Sequence, residues 1–376
     1  MSKSNKTTPN VPTLRFKEFT DLYGWNSKNV GNILSICHGR DYKHLKDGNY
    51  PVLGTGGVIT HVNEFLCNWN CVLIGRKGTI NKPQYMNSPF WAVDTIFYSK
   101  PHKGQLACFQ YYLFQTINWN KYNEASGVPS LSASTIEKIN VKVPEYNEQV
   151  KIAEFLSKID ERIKTQNKII EDLKTLKKEL CNSYFKSIHN NTLLEYVALK
   201  NILSERKEYC SKDGTYTHGT LSKDGVFPKT ERYDRDFLVK DENKQYKVTR
   251  FNNICYNPAN LKFGVICRNT YGDLIFSPIY VTFEISESVY PAYIELFLTN
   301  ANFIGRIRRY EQGTVYERMA VSPEDFLSYE IRMPAYEEQV KFADRIQRLQ
   351  EKIEMETKFS NTLQLQRKYL LNAMFI

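Results

Sequence analysis

Pro144-Glu145-Tyr146-Asn147-Glu148-Gln149-Val150-Lys151 returns, 190 residues later, as Pro334-Ala335-Tyr336-Glu337-Glu338-Gln339-Val340-Lys341. Carried on without a gap over 144–185 and 334–375, the two segments share 15 of 42 positions. Unrelated segments would share about one position in fifteen, so the chain is internally duplicated and the repeat governs the reading of the fold. A shorter echo opens each half, where Asn32-Ile33-Leu34-Ser35 recurs as Asn201-Ile202-Leu203-Ser204.

Each long segment starts after a proline, contains no further Pro or Gly, and is rich in Lys, Glu, Leu and Ile, the terms that let a helix run. Apolar residues follow a heptad rhythm: Ile152, Leu156, Ile159, Ile163, Ile170, Leu173 and Leu180 in the first copy, Phe342, Ile346, Leu349, Ile353, Leu363 and Leu370 in the second. Gln166 and Glu356 interrupt the two seams at equivalent places. Matching seams predict an antiparallel coiled coil, with a globular domain attached at either end. A helix of forty residues would be roughly 60 Å long, the axial rise of about 17 base pairs of duplex DNA. A coiled coil serving only to oligomerise the chain would show the same seam.

The organisation expected is a domain over 1–143, a helix over 144–189, a second domain over 190–333 and a second helix over 334–376. Both domains read as α+β. In the first, 70–75 and 91–100 read as strands and 106–118 as a helix; in the second, 251–256, 265–268 and 275–285 read as strands and 291–310 as a helix.

The 376 residues carry a formal charge of +10 and a sequence pI near 9.0, which favours a polyanionic partner. The excess sits in the first domain, where residues 1–142 hold 16 Lys and Arg against 8 Asp and Glu, whereas residues 188–332 hold 19 against 19. Eight scattered cysteines and the absence of an apolar N-terminal run lead us to expect free thiols in a reducing cytoplasm. No apolar stretch reaches the roughly 18 residues of a membrane span, so no membrane partner is expected.

Gly75-Arg76-Lys77-Gly78-Thr79 follows a predicted strand; its glycines let a partner approach the backbone, while Arg76 offers bidentate donors and Lys77 a point charge. Arg40, Lys43, Lys46, His61, Asn63 and Lys82, interleaved with Tyr42, Tyr50 and Tyr85, supply the mixture of charge and hydrogen bonding that lines a DNA groove. In the second domain, Asn257, Asn260, Lys262 and Arg268 form a candidate reading loop. Arg306, Arg308, Arg309 and Tyr310 cluster at the predicted helix end, before Gly313-Thr314. A solvated basic turn, or arginines that complement their own helix C-terminus, would give the same strings.

Enzyme signatures are missing. Asn257-Pro258-Ala259-Asn260 lacks the second proline and the aromatic of an adenine methyltransferase tetrad, no Cys precedes a Pro, and no Gly-Lys pair supports a nucleotide-binding loop. Asp236, Glu242 and Lys244 could be assembled into a nuclease-like set, and Cys67 with Cys71 into half of a zinc site, but neither has the rest of its constellation. Catalytic and metal-binding residues are therefore expected to be absent.

Tyr50-Pro51-Val52-Leu53-Gly54-Thr55-Gly56-Gly57, Leu73-Ile74-Gly75-Arg76-Lys77-Gly78-Thr79-Ile80, Phe90-Trp91-Ala92-Val93-Asp94-Thr95 and the repeated Pro144–Gln149 string carry a further inference. Together they resemble the specificity (S) subunit of type I restriction-modification enzymes. The resemblance implies a non-catalytic subunit whose two target-recognition domains each read half of a split, asymmetric sequence in double-stranded DNA, with the helices setting the unread gap. It implies two methyltransferase (M) subunits that use S-adenosylmethionine and restriction (R) subunits that use ATP and Mg²⁺, with no cofactor in this chain. The methyltransferases would dock on helix surfaces outside the seam, at Glu148, Gln149, Lys151 and their repeats Glu338, Gln339 and Lys341. The second domain departs from the pattern, with Asn257 to Phe263 where the first has Gly-Arg-Lys-Gly-Thr. A stand-alone restriction or modification enzyme and a structural coiled-coil protein are the competing classes; the missing motifs weigh against one and the duplicated domain against the other.

Overall fold

The computed structural model describes residues 10–211, 215–223, 225–229, 245–311 and 320–376. Seven α-helices lie among them: α1 Ala107–Thr116, α2 Ala133–Lys138, α3 Tyr146–Asn190, α4 Pro291–Leu298, α5 Ala301–Ile307, α6 Pro323–Ser328 and α7 Tyr336–Met374. The repeated segments are α3 and α7, uninterrupted as their composition predicts. The chain divides into two compact units, Met1–Lys168 with Thr357–Ile376, and Ile169–Glu356. Each unit therefore holds part of both long helices.

In the first unit, four strands pair antiparallel in the order Leu34–His38, Ile96–Pro101, Cys71–Gly75, Gln84–Met86. Cys71–Gly75 is buried on both faces, which explains its unbroken apolar run. Its side chains alternate as a strand requires: Val72 and Ile74 enter the core with Phe109 and Leu113 of α1, while Cys71 and Leu73 face Phe90 and Tyr98. Ile152 and Leu156 of α3 and Leu370, Leu371, Met374 and Phe375 at the end of the chain complete the first core. A second sheet runs Gly57–Val62, Asp47–Gly54, Trp91–Ala92, and Asn26–Asn29 pairs with Asn140–Val143.

The second unit repeats the main sheet in the same order: Leu203–Glu205, Val281–Ile285, Ile254–Tyr256, Ile266–Arg268. Tyr196–Ala198 pairs with Glu330–Arg332 as Asn26–Asn29 does with Asn140–Val143. The echo at Asn32 and Asn201 marks one device used twice. A 3-10 turn, Val30–Asn32 or Leu199–Asn201, hands the chain to the first strand of the sheet. Its opening N–H bonds back to Ile139 O (2.9 Å) or Tyr329 O (2.8 Å). The additional sheets differ: among the described residues that of the second unit has five strands, Tyr209–Cys210, Tyr246–Thr249, Leu274–Phe276, Thr217–Ser222 and Gly225–Pro228.

Several predicted elements are shorter than expected. Residues 291–310 form α4, α5 and a 3-10 turn, because Asn300 interrupts the helix and caps the next one by accepting from Asn302 N (2.9 Å). The run 275–285 splits into two strands around Ser277–Tyr280, and 91–100 splits where Ile96 N turns back to Val93 O (3.1 Å). The strand expected from Phe251 begins only at Ile254, since Asn252 takes a left-handed conformation (φ 66°).

The helices pair antiparallel within each unit. In the first, Asp160 of α3 accepts from Arg367 of α7 and from Tyr112 OH (3.0 Å), and Ser360 donates to Asn167 (2.7 Å). In the second, Lys177 donates to Gln350 (2.8 Å) and Tyr184 stacks on Phe342 at 3.6 Å. Positions 160 and 350 are repeat equivalents, as are 177 and 367, so one contact is made twice with different chemistry. Leu180 corrects the expected seam: it is 37% exposed, and buried Cys181 and Phe185 take the inward positions, where Phe185 packs on Tyr293 and Phe297. Gln166 is buried at 6% exposure, and Glu356 pairs with Lys352 of its own helix at 2.5 Å.

Candidate nucleic-acid interface

The turn after the central strand Cys71–Gly75 is held by backbone contacts. Arg76 N and Lys77 N both donate to Thr95 O (2.9 and 3.1 Å), Leu131 N to Arg76 O (2.9 Å), and Gly78 N to Pro129 O (2.8 Å). Gly78 sits at φ 94°, a conformation that favours glycine, and a Cβ at Gly75 would lie 2.2 Å from Thr79 O. Both glycines therefore shape the turn that presents Arg76 and Lys77 to solvent.

Arg76 is anchored but not exhausted. One Nη donates to Asp94 O (3.1 Å) and the guanidinium lies 5.9 Å from the Phe97 ring centroid, which restricts its rotamers before any partner arrives. Both basic residues line an open cleft of about 410 Å³ with Asp94, Thr95, Glu124, Ser130 and Ser132. Hydrogen bonds from Thr135 and then Ser132 hold the Glu124 carboxyl below its ordinary range, so it stays an acceptor. Arginine donors beside carboxylate acceptors suit base edges, since guanine offers acceptors and cytosine a donor in the major groove.

The other candidates of this unit divide into two groups. Arg40 is tied by its backbone to the segment that also anchors Arg76, without lining the cleft: its N–H bonds Ala92 O (2.7 Å) and its C=O accepts from Trp91 Nε1 (2.9 Å). Asn63 lies with Lys46 instead, receiving its N–H at 3.0 Å, with His61 two residues away on the strand Gly57–Val62. Lys43 and Lys82 are exposed on loops. The sequence reading missed Thr55, whose Oγ1 would meet a Cβ on Gly78 at 3.5 Å, and exposed Val58, Ile59 and Val128. The signal was present in Gly54-Thr55-Gly56-Gly57, a hairpin tip, but its proximity to Gly78 is tertiary.

In the second unit the turn after Ile254–Tyr256 occupies the same place, and two of its candidates are committed inside the chain. Asn257 is 8% exposed and caps the 3-10 turn Pro258–Phe263 by accepting from Ala259 N (3.1 Å). Arg268 is bound to Glu295 (2.8 Å) and Asn252 (2.8 Å). Neither is free to read a base. Asn260 and Lys262 remain on that turn, which packs against α5, and Lys262 leans over Phe263 at 5.3 Å. Arg306 and Arg309 lie at the end of α5 and in the following turn, where Arg309 stands over Tyr310 (5.8 Å) and Tyr329 (5.9 Å). Arg206 and Arg250 are consumed in a network with Glu208, Asp273 and Glu284. Gly313, Thr314, Asp236, Glu242 and Lys244 lie outside the described residues.

The docking candidates also divide. Glu148 is 1% exposed and receives Arg15 (2.7 and 2.8 Å) and Trp25 Nε1 (3.1 Å), so it fastens residues 15–25 to α3. Gln149 and Gln339 are buried and do one job twice. Each accepts the N–H at the start of an earlier helix, Leu106 N at 3.1 Å before α1 or Tyr290 N at 2.9 Å before α4, and donates to the carbonyl of Pro144 or Pro334. These three residues serve contacts inside the chain and do not form an outer face. Lys151, Glu338 and Lys341 are exposed.

Cys67 and Cys71 approach at 3.9 Å within the first unit, and among the described residues no group of three His, Cys, Asp or Glu is placed to hold a metal. No helix among them is long and apolar enough to cross a membrane.

Residues 23–175 match the family model described as Type I restriction modification DNA specificity domain. The type I restriction enzyme MjaIX specificity subunit of Methanocaldococcus jannaschii is 33% identical over 89 residues, 23% of this chain and 21% of that protein. The aligned stretch thus spans about a fifth of the relative's length. Among solved structures, the S subunit of a type I restriction-modification system from M. genitalium matches with a TM-score of 0.64 at 14% identity, covering 97% of this chain and 99% of the other. A chain from a structure on complex assembly and conformational transition of the type I R-M system gives a TM-score of 0.55 at 9% identity, covering 93% and 97%. At these identities the two structures establish a shared fold.

Proposed function

We propose, from the match of residues 23–175 to the type I restriction modification DNA specificity domain, that this chain is the sequence-reading subunit of such an assembly. The observation that carries the reading is the duplicated sheet with a different turn after its third strand: Arg76-Lys77-Gly78 in one unit, Asn257 to Phe263 in the other. One scaffold used twice with unlike tips suits a bipartite, asymmetric target in duplex DNA. Phosphate contacts from exposed Lys and Arg would set position, and the anchored Arg76 with its neighbouring acceptors would select bases. The long helices would fix the unread gap and, through Lys151, Glu338, Lys341 and adjoining exposed positions, receive two methyltransferase subunits.

Chemistry belongs to the partners in this reading. The methyltransferase subunits would bind S-adenosylmethionine and the restriction subunits ATP and Mg²⁺, while this chain contributes recognition and needs no cofactor. The protein would act in the cytoplasm, where DNA and these partners are. Replacing residues 1–142 by those of a relative tests the assignment: methylome sequencing should show one half of the recognised motif changed and the other half retained. A motif altered in both halves, or unaltered, would refute the division of labour.

A further inference from the structure

The end of α3, α4, α5 and the strand Glu330–Arg332 enclose a cavity of about 270 Å³ in the second unit. Four basic residues line it, Lys186, His189, Arg306 and Arg332, against one acid, Glu330, while the lining amides of Asn300 and Asn302 donate to Asn182 (2.9 and 3.4 Å). Arg332 carries the argument. Its Nε and Nη1 are buried and have no hydrogen-bond partner among the described residues, and its guanidinium lies 4.6 Å from the Tyr196 ring centroid. Leaving guanidinium donors desolvated and unpaired is costly, so these donors call for a partner, a water or a bound anion, that completes them. The repeat shows that the scaffold does not require it: Arg332 aligns with Lys142, and Lys186 with Ile376.

We propose that this cavity is an oxyanion site that takes one phosphate group, with Arg332 and Arg306 as its principal donors. The volume falls just under the roughly 300 Å³ at which sites for drug-sized ligands begin, so the occupant is a small anion or the phosphate of a larger molecule inserted from outside. Planar arginine donors match phosphate oxygens better than a lone ammonium does. His189 reports the local potential: burial first, then the charges of Arg306 and Arg332, hold its pKa below the ordinary imidazole value. The site does not depend on the DNA-reading assignment, because free phosphate and a phosphodiester of the DNA backbone present the same chemistry.

The test is thermal unfolding of the full chain in inorganic phosphate against chloride at equal ionic strength. Phosphate should raise Tm in the unaltered protein, as any ligand that binds only the folded state does. Arg332→Met should abolish that rise while raising Tm in chloride, because it removes a desolvated charge. Arg306→Gln, at an exposed position, should weaken the rise without touching the buried group. A chloride-buffer Tm lowered by Arg332→Met would show Arg332 to be a packing residue and overturn the proposal. So would a phosphate response that is absent from the unaltered protein or survives both substitutions. The source is decided by duplex DNA binding over a salt series. If the phosphate is DNA's, Arg306→Gln lowers the salt slope by about 1 without changing the preferred sequence; if it is free phosphate, slope and affinity stay as they were.

Discussion

Arg76 and Lys77 are adjacent, carry the same charge and sit on one turn, yet the structure gives them different work. Arg76 is braced by Asp94 O and the Phe97 ring, whereas the Lys77 side chain is exposed and has no partner among the described residues. A braced, planar donor loses little freedom on binding and can discriminate, and a mobile ammonium mainly neutralises phosphate. Arg76→Gln should therefore cost about 1–3 kcal/mol against the cognate site and relax preference at one base position. Lys77→Gln should weaken binding about equally on all sequences and reduce the salt slope by about 1. Titrations of cognate and scrambled duplexes across a salt series separate the two, and identical behaviour of the variants would remove the distinction. At this scale the residue types were legible from the sequence but their availability was not. Arg268 and Asn257 have the composition of base readers and are spent on Glu295, Asn252 and Ala259 N.

Among the elements, the repeated Pro-x-Tyr-x-Glu-Gln string explains itself as a joint. Its glutamine bonds the carbonyl of the proline five residues before it and the first N–H of a helix more than forty residues upstream, and so fixes the long helix to the globular part of its own unit. Gln339→Ala would leave Pro334 O buried and Tyr290 N half-buried without their partner, a loss of about 1–3 kcal/mol. Hydrogen exchange should rise in α4 and leave α1, which Gln149 holds, unchanged; equal rises in both helices would contradict the joint. The glutamate of the string diverged between copies. Glu148 is buried against Arg15 and Trp25, and Glu338 is exposed beside Lys341 at 2.9 Å. Identity between repeats therefore announced shared structure without distinguishing a buried bond from an exposed one.

For the whole molecule, the helices are the feature on which the proposed gap depends. Four residues inserted into α3 near Gln166 and into α7 near Glu356 would add about 6 Å of rise, or about two base pairs of duplex. The gap in the methylated motif should lengthen accordingly, and a mapped gap that stays constant would deny the helices a measuring role. What the sequence determined by itself was the duplication, the two long helices and the α+β character of both domains, because these rest on periodicity, composition and register, which are local or directly comparable along the chain. Tertiary structure alone decided that Asp160 faces Arg367 where Gln350 faces Lys177, that Cys181 and Phe185 displace Leu180 from the seam, and that Nε and Nη1 of Arg332 are buried without a hydrogen-bond partner among the described residues. Each depends on which side chains meet after the chain has returned on itself, and a spacing rule carries no information about the partner on the other side.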